Sequence, residues 1–257
     1  MKWLELTSVD LERAREETQG VAMIPAGSLE RHGPHLPLGT DTLSVQAVAD
    51  RVEQLEAVVV LPVLPYTHVP PCVFHPGAIH IKQKILLDFV TNICDEVYRN
   101  GFEKIAILHG HGGNVPLQQA ILPHMLEERK PYALYSIGLG GDPELRKRIM
   151  ESPFDGHAGE GETSSILHLR PDLVKMERIQ GVRFDPAEEL DVAPATTAVD
   201  WICRWNEMAV GEPDKATAEK GRLMLESRAQ QVAETLRKIK RDTALLERMR
   251  QRRAMRF

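Results

Sequence analysis

The densest chemistry lies between Pro25 and Asp41, in the stretch Pro-Ala-Gly-Ser-Leu-Glu-Arg-His-Gly-Pro-His-Leu-Pro-Leu-Gly-Thr-Asp. Glu30, His32, His35 and Asp41 stand here in a segment too rich in glycine and proline for regular structure. Glu30 and His32 are two residues apart, so extended backbone sends both side chains to one side. The Gly-Pro and Leu-Pro turns allow Asp41 to return to the same place. Glu, His and Asp together are the ligand types of a catalytic zinc, manganese or iron site. A polar surface loop would have the same composition, so the rest of the chain has to decide.

Two further clusters carry the same residue types. His109-Gly-His-Gly-Gly-Asn114 places His109 and His111 two apart. Gly112 and Gly113 permit close backbone approach there, and Asn114 can cap a helix. The same glycines would form a generic anion nest, but the Lys-Ser/Thr of a phosphate-binding loop is missing. The third cluster, His157-Ala-Gly-Glu-Gly-Glu-Thr-Ser164, sets a histidine and two glutamates at the mouth of a helix. Glu160 reads as a capping-box or first-turn glutamate held by the helix dipole. Glu162, followed by small hydroxyl residues and an apolar helix, is the better ligand.

These clusters need a scaffold that aims them at one point. Val21 to Pro25, Ala57 to Leu61, Lys104 to Leu108 and Tyr132 to Ile137 are apolar runs that read as buried strands. Helical patterns precede and separate them: residues 8 to 17 opened by Ser8, then Thr42 to Leu55, Lys82 to Asn100 and Val115 to Lys130. Pro123 is expected to kink or break the last of these. Strand and helix alternate without hairpin signals, which predicts an α/β chain with a mainly parallel sheet sandwiched by helices. The clusters at 25–41 and 109–114 both leave the ends of buried strands, where α/β proteins keep their chemistry. Beyond them, Glu162 to His168 reads as a helix, 178 to 213 has no clear period, and Ala216 to Met249 reads as one long charged helix tolerating Gly221. No repeat or linker divides residues 1–257, so a single domain is expected.

Composition narrows the partners. A net charge of −5 and a pI near 6.1 give no footprint for nucleic acid or an anionic membrane. No apolar run approaches the ~18 residues of a membrane span. Three widely spaced cysteines, Cys72, Cys94 and Cys203, fit a reducing cytoplasm and read as small buried hydrophobes. The basic end, from Arg248 to Phe257, reads as a solvated or subunit-packing face rather than a nucleic-acid arm.

Three motifs in order resemble the creatininase (creatinine amidohydrolase) family: Glu30-x-His32-Gly-x-His35-Leu-Pro-Leu-Gly-Thr-Asp41, Gly110-His-Gly-Gly-Asn114, and His157-Ala-Gly-x-x-Glu162-Thr-Ser. Residues 211 to 221, from Gly211 to Gly221, are similar to that family's C-terminal signature. The resemblance implies a three-layer α/β/α fold, a homo-oligomer (a hexamer in the family), and a site holding two divalent ions, Zn, Mn or Fe. By the same resemblance Glu30 and His32 would each bind one metal, Asp41 would bridge, and His111 would be a ligand. Creatinine-hydrolysing members resemble a version with a glutamate where this chain has Gly113, so Glu162 is expected to complete the second site and creatinine is not the expected substrate.

The implied activity is metal-dependent hydrolysis of a C–N bond in a cyclic amide, a formamide or a small modified peptide, through metal-activated water. The alternatives are hydrolysis of a cyclic keto-inositol or, outside enzymology, a phosphate- or nucleotide-binding module using the glycine-rich loops. His157 is the candidate proton donor to the leaving nitrogen. His35 and His109 are candidates for orienting ligands. Trp201 and Trp205 are candidates for a pocket roof, although a core role is the simpler expectation for each.

Overall fold

A computed structural model describes residues 1–182, 195, 197–205 and 207–254 of the 257. Four parallel strands, β1 (Val21–Ala26), β2 (Val59–Val60), β3 (Lys104–His109) and β4 (Ala133–Gly138), lie in the order β2-β1-β3-β4. Every residue of β1 and β3 is buried, which explains why both read as apolar runs instead of alternating ones.

Nine α-helices surround the sheet among the described residues: α1 (Leu11–Glu17), α2 (Thr40–Leu55), α3 (Gln83–Arg99), α4 (Val115–Glu127), α5 (Pro143–Ile149), α6 (Glu160–Leu169), α7 (Asp200–Arg204), α8 (Ala218–Arg241) and α9 (Ala244–Ala254). The period of two along each strand sorts the core into two layers. Ala22, Ile24, Ile105 and Ile107 pack on Leu86 and Val90 of α3 and on Leu117 and Ile121 of α4. Val21, Met23, Ala106 and Leu108 pack on Val45, Val48 and Val52 of α2 and on Ala229, Val232 and Leu236 of α8. The result is the expected α/β/α sandwich.

Several local expectations need correction. The first helix starts at Leu11, and Ser8 lies in the preceding turn. Only Val59 and Val60 of the second apolar run are in strand conformation. α4 continues through Pro123, so the proline does not break it. The long C-terminal helix is two helices, because Asp242 turns to extended backbone and its carboxylate accepts the N–H of Leu245 at the start of α9. Gly221 is required rather than tolerated. A Cβ there would lie 2.0 Å from the Ser164 carbonyl oxygen, so the glycine is what lets α8 lie directly on α6. Cys72 and Cys94 are buried as expected, whereas Cys203 is exposed. Part of the aperiodic stretch from 178 to 213, and the last residues of the basic end, lie outside the described residues. Among the described residues no helix is long and apolar enough to cross a membrane.

Candidate metal centre

All the chemical residues meet at the carboxyl edge of the sheet. β1 delivers the loop bearing Glu30 and His32, and the peptide N–H of Glu30 donates to the Leu38 carbonyl at 3.0 Å to fold that loop back on itself. The returning chain enters α2, whose first turn holds Asp41. β3 ends at His109, and His111 follows in extended backbone. α6 presents Glu162 from its first turn, with His157 in the loop before it. The positive end of α2 thus favours ionised Asp41.

Three histidines in the site share one device. His111 Nε2 lies 3.1 Å from the His68 carbonyl, His32 Nδ1 lies 3.3 Å from the Glu30 carbonyl, and His157 Nε2 lies 2.7 Å from the Arg31 carbonyl. A carbonyl only accepts, so each of these nitrogens carries a hydrogen, and the other nitrogen turns its lone pair to whatever cation, proton or metal, the site holds. Those lone pairs point at carboxylates. His111 Nδ1 lies 2.8 Å from Asp41 Oδ2 and 2.9 Å from Glu30 Oε1. His32 Nε2 lies 3.3 Å from Asp41 Oδ1 and 3.4 Å from Glu162 Oε2. His157 Nδ1 lies 3.9 Å from Glu30 Oε1.

Acceptor facing acceptor is repulsive unless positive charge sits between. Glu30 Oε1 and His32 Nε2 are buried with no properly aligned hydrogen-bond partner among the described residues. The ligand-type atoms cluster within 4.8 Å of one another as Glu30, Asp41 and His111, as His32, Asp41 and Glu162, and as Glu30, His32 and His157. Asp41 belongs to the first two groups and turns a different oxygen to each histidine. Mixed imidazole and carboxylate donors in this arrangement fit divalent zinc, manganese or iron.

The electrostatics agree. Burial works against a charged His32 ring, yet Asp41 and Glu162 outweigh it and raise its pKa to about 10. Burial likewise opposes charge on His111, but its bonds to Asp41 and Glu30 hold its pKa well above the ordinary value. Asp41 is held well below the carboxylate range despite its burial by the two imidazoles, His32 acting most strongly. The pocket therefore demands cations. His157 shifts the other way, lowered by burial and then by the nearby His32 charge, so its ring stays neutral.

Several neighbours fix these groups. Ser28 Oγ donates to Asp41 Oδ2 at 2.7 Å, and the Cys72 thiol donates to Glu30 Oε2 at 3.2 Å, turning Oε1 inward. The His157 ring stacks on His32 at a 4.0 Å centroid distance, and Trp201 meets it edge-on at 5.5 Å. Trp201 thus borders the site from the side of His157. Sequence reasoning missed Ser28 and Cys72, since neither carries a motif signal.

The other glutamate of the third cluster has a different job. Glu160 is fully buried and accepts from Lys220 Nζ at 2.5 Å and from the N–H groups of Glu151 and Ser152. Of the two orienting candidates, His35 bonds Thr163 Oγ1 at 2.9 Å, beside Glu162. His109 lines the cavity, and among the described residues neither of its ring nitrogens has a hydrogen-bond partner. Gly113 leaves no room for a side chain: a Cβ would lie 2.2 Å from His111 Nε2 and 2.7 Å from the His68 carbonyl.

A profile of the family described as creatinine amidohydrolase (creatininase) matches residues 4–236. The creatinine amidohydrolase of Pseudomonas putida is 28% identical over 253 residues, covering 91% of this chain and 95% of that protein. The mycofactocin precursor peptide peptidase of Mycobacterium tuberculosis is 32% identical over 211 residues, 78% of each chain. Among solved structures, a creatininase variant in its zinc–zinc form superimposes with a TM-score of 0.80 at 27% identity, covering 94% of this chain and 98% of the other.

Proposed function

Because this chain belongs to the creatininase family of hydrolases, we propose that it is a binuclear metal-dependent amidohydrolase that opens the C–N bond of a cyclic amide, formamide or small modified peptide. One observation carries the reading: Asp41 gives one carboxylate oxygen to the Glu30–His111 group and the other to the His32–Glu162 group. A carboxylate shared in this way is what two adjacent cations need as a bridge.

In this reading Glu30, Asp41 and His111 hold one divalent ion, and His32, Asp41 and Glu162 hold the other. Bound there, the pair would polarise the scissile carbonyl and lower the pKa of water between them. The remaining steps belong to the protein. His157, neutral and with Nδ1 turned inward, takes a proton from the attacking water and returns it to the leaving nitrogen. The sequence suggests a donor; the tautomer supports an acceptor first and a donor second. Burial of Glu30, His32 and Asp41 keeps competing water from the ligands. The same chain is proposed to assemble as a homo-oligomer, supported by exposed Ile85 and Phe89 on α3 and Leu122 and Leu126 on the neighbouring α4.

Creatinine is not the proposed substrate. The glycine at 113 cannot be exchanged for a metal-binding glutamate without displacing His111, so the second ion depends on Glu162. A panel of metal-loaded assays tests this. Turnover of a formamide, cyclic amide or short peptide is expected, with creatinine at least about 10²-fold poorer. Efficient creatinine hydrolysis would overturn the substrate assignment, and no turnover of any amide would overturn the activity.

A further inference from the structure

Arg228, on α8, lies outside the three motifs and the C-terminal signature. Its side chain lines a cavity of about 380 Å³ together with Asp41, His111, Glu162 and Ser165. It also lines an adjoining cavity of about 290 Å³ that contains Arg146. Its Nε donates to the Gly140 carbonyl at 3.3 Å and its Nη1 to Ser165 Oγ at 3.5 Å, both long contacts with neutral acceptors. Among the described residues no carboxylate forms an ion pair with it. Neighbouring arginines differ in this respect: Arg146 is paired with Asp155 at 2.5 Å and Arg51 with Glu226 at 3.0 Å.

A guanidinium has five N–H donors in a planar fork that matches carboxylate and phosphate. Among the described residues Arg228 uses two of them. Burial and then repulsion from Arg146 push its pKa below the ordinary value, outweighing the opposite pull of Glu162 and Asp155. If the centre holds two divalent ions, three carboxylates leave it net positive, so Glu162 is committed to metal and is not available to neutralise Arg228.

We propose that Arg228 is a specificity residue of this site, binding an anionic group, a carboxylate or phosphate monoester, of a substrate whose amide lies at the metal centre. This rests on the amidohydrolase reading for its geometry but not for its test. Ser165, one turn beyond Glu162 on α6, places its hydroxyl beside the guanidinium. An amide at Asp41 and an anion at Arg228 would then occupy one continuous cavity.

Binding is measured by calorimetry on metal-loaded protein with two matched pairs. N-formyl-β-alanine is compared with its carboxamide, and N-formyl-O-phosphoethanolamine with N-formylethanolamine. At least one anion is expected to bind about tenfold or more tightly than its neutral partner, as a charged hydrogen bond provides. The pair showing that preference identifies the anion. Arg228→Gln is expected to abolish the preference, and Arg228→Lys to keep part of it, with metal content unchanged in both. No preference in the wild-type protein overturns the proposal. So does a preference that survives Arg228→Gln, since the metals alone would then be reading the anion. Turnover of the same compounds is scored separately: bound but uncleaved anions would count against the hydrolase reading and leave the Arg228 site standing.

Discussion

Lys220 Nζ lies 2.5 Å from Glu160 Oε1, and this buried pair separates the roles of the two glutamates at the mouth of α6. Lys220 reaches Glu160 from the first turn of α8, where Thr217 caps the helix through the N–H of Lys220. The C-terminal signature therefore braces the third loop instead of entering the site. With its carboxylate satisfied by an ammonium and two peptide N–H groups, Glu160 has nothing left to offer a metal.

Glu160→Gln is accordingly expected to keep full metal content and lose stability. Removing one partner of a buried ion pair costs about 3 kcal/mol, to be read by chemical denaturation alongside elemental analysis. Glu162→Gln should behave in the opposite way, losing about one ion per chain with little change in the unfolding midpoint of the metal-free protein. Metal loss in Glu160→Gln would show that the wrong glutamate has been assigned.

His157→Ala should slow turnover of the best substrate by roughly 10²–10⁴-fold while leaving metal content unchanged. The alternative is visible in the geometry, because His157 also groups with Glu30 and His32. Loss of an ion in this variant would make His157 a ligand rather than a proton carrier. Unimpaired turnover would remove it from the mechanism.

Cys72 is expected to matter through Glu30. Its thiol turns one carboxylate oxygen away from the site and leaves the other facing His111. Cys72→Ala should weaken metal retention by about 10–100-fold, the usual effect of losing a partner behind a ligand. Cys72→Ser, which still donates, should recover most of it. Competition with a chelator measures both, and identical affinities for all three proteins would make Cys72 a packing residue.

Much of this arrangement was legible in the chain. Apolar β-branched runs identified the buried strands because both faces of the sheet are covered, and Glu30, His32 and Asp41 stood out because glycine and proline deny them any core role. Long-range pairings were not legible. The contact of Cys72 with Glu30 spans 42 residues and that of Arg228 with Ser165 spans 63, with no periodicity to mark either. The break at Asp242 was missed because an aspartate that caps a second helix looks, in a charged run, like any other surface residue.

Acid should expose a second brace. Glu56, at the end of α2, accepts from Arg237 at 2.8 Å and pairs with Lys240 near the end of α8. Burial opposes its ionisation, but Lys240 and then Arg237 prevail and lower its pKa from 4.5. A depressed carboxylate stabilises the fold above its unfolded value and stops doing so as pH falls through the folded one. Glu56→Gln should therefore lower the melting temperature at neutral pH. The gap between variant and wild type should close as pH falls below 4.5. A gap independent of pH would mean that packing, not charge, holds α2 to α8.

The shared position of Asp41 between two ligand groups is the central claim, and metal stoichiometry tests it most directly. Elemental analysis of reconstituted wild-type protein should find about two transition-metal ions per chain, and Asp41→Asn should retain neither. A wild-type chain that takes up no metal, or an Asp41→Asn variant that still holds both ions, would contradict the account.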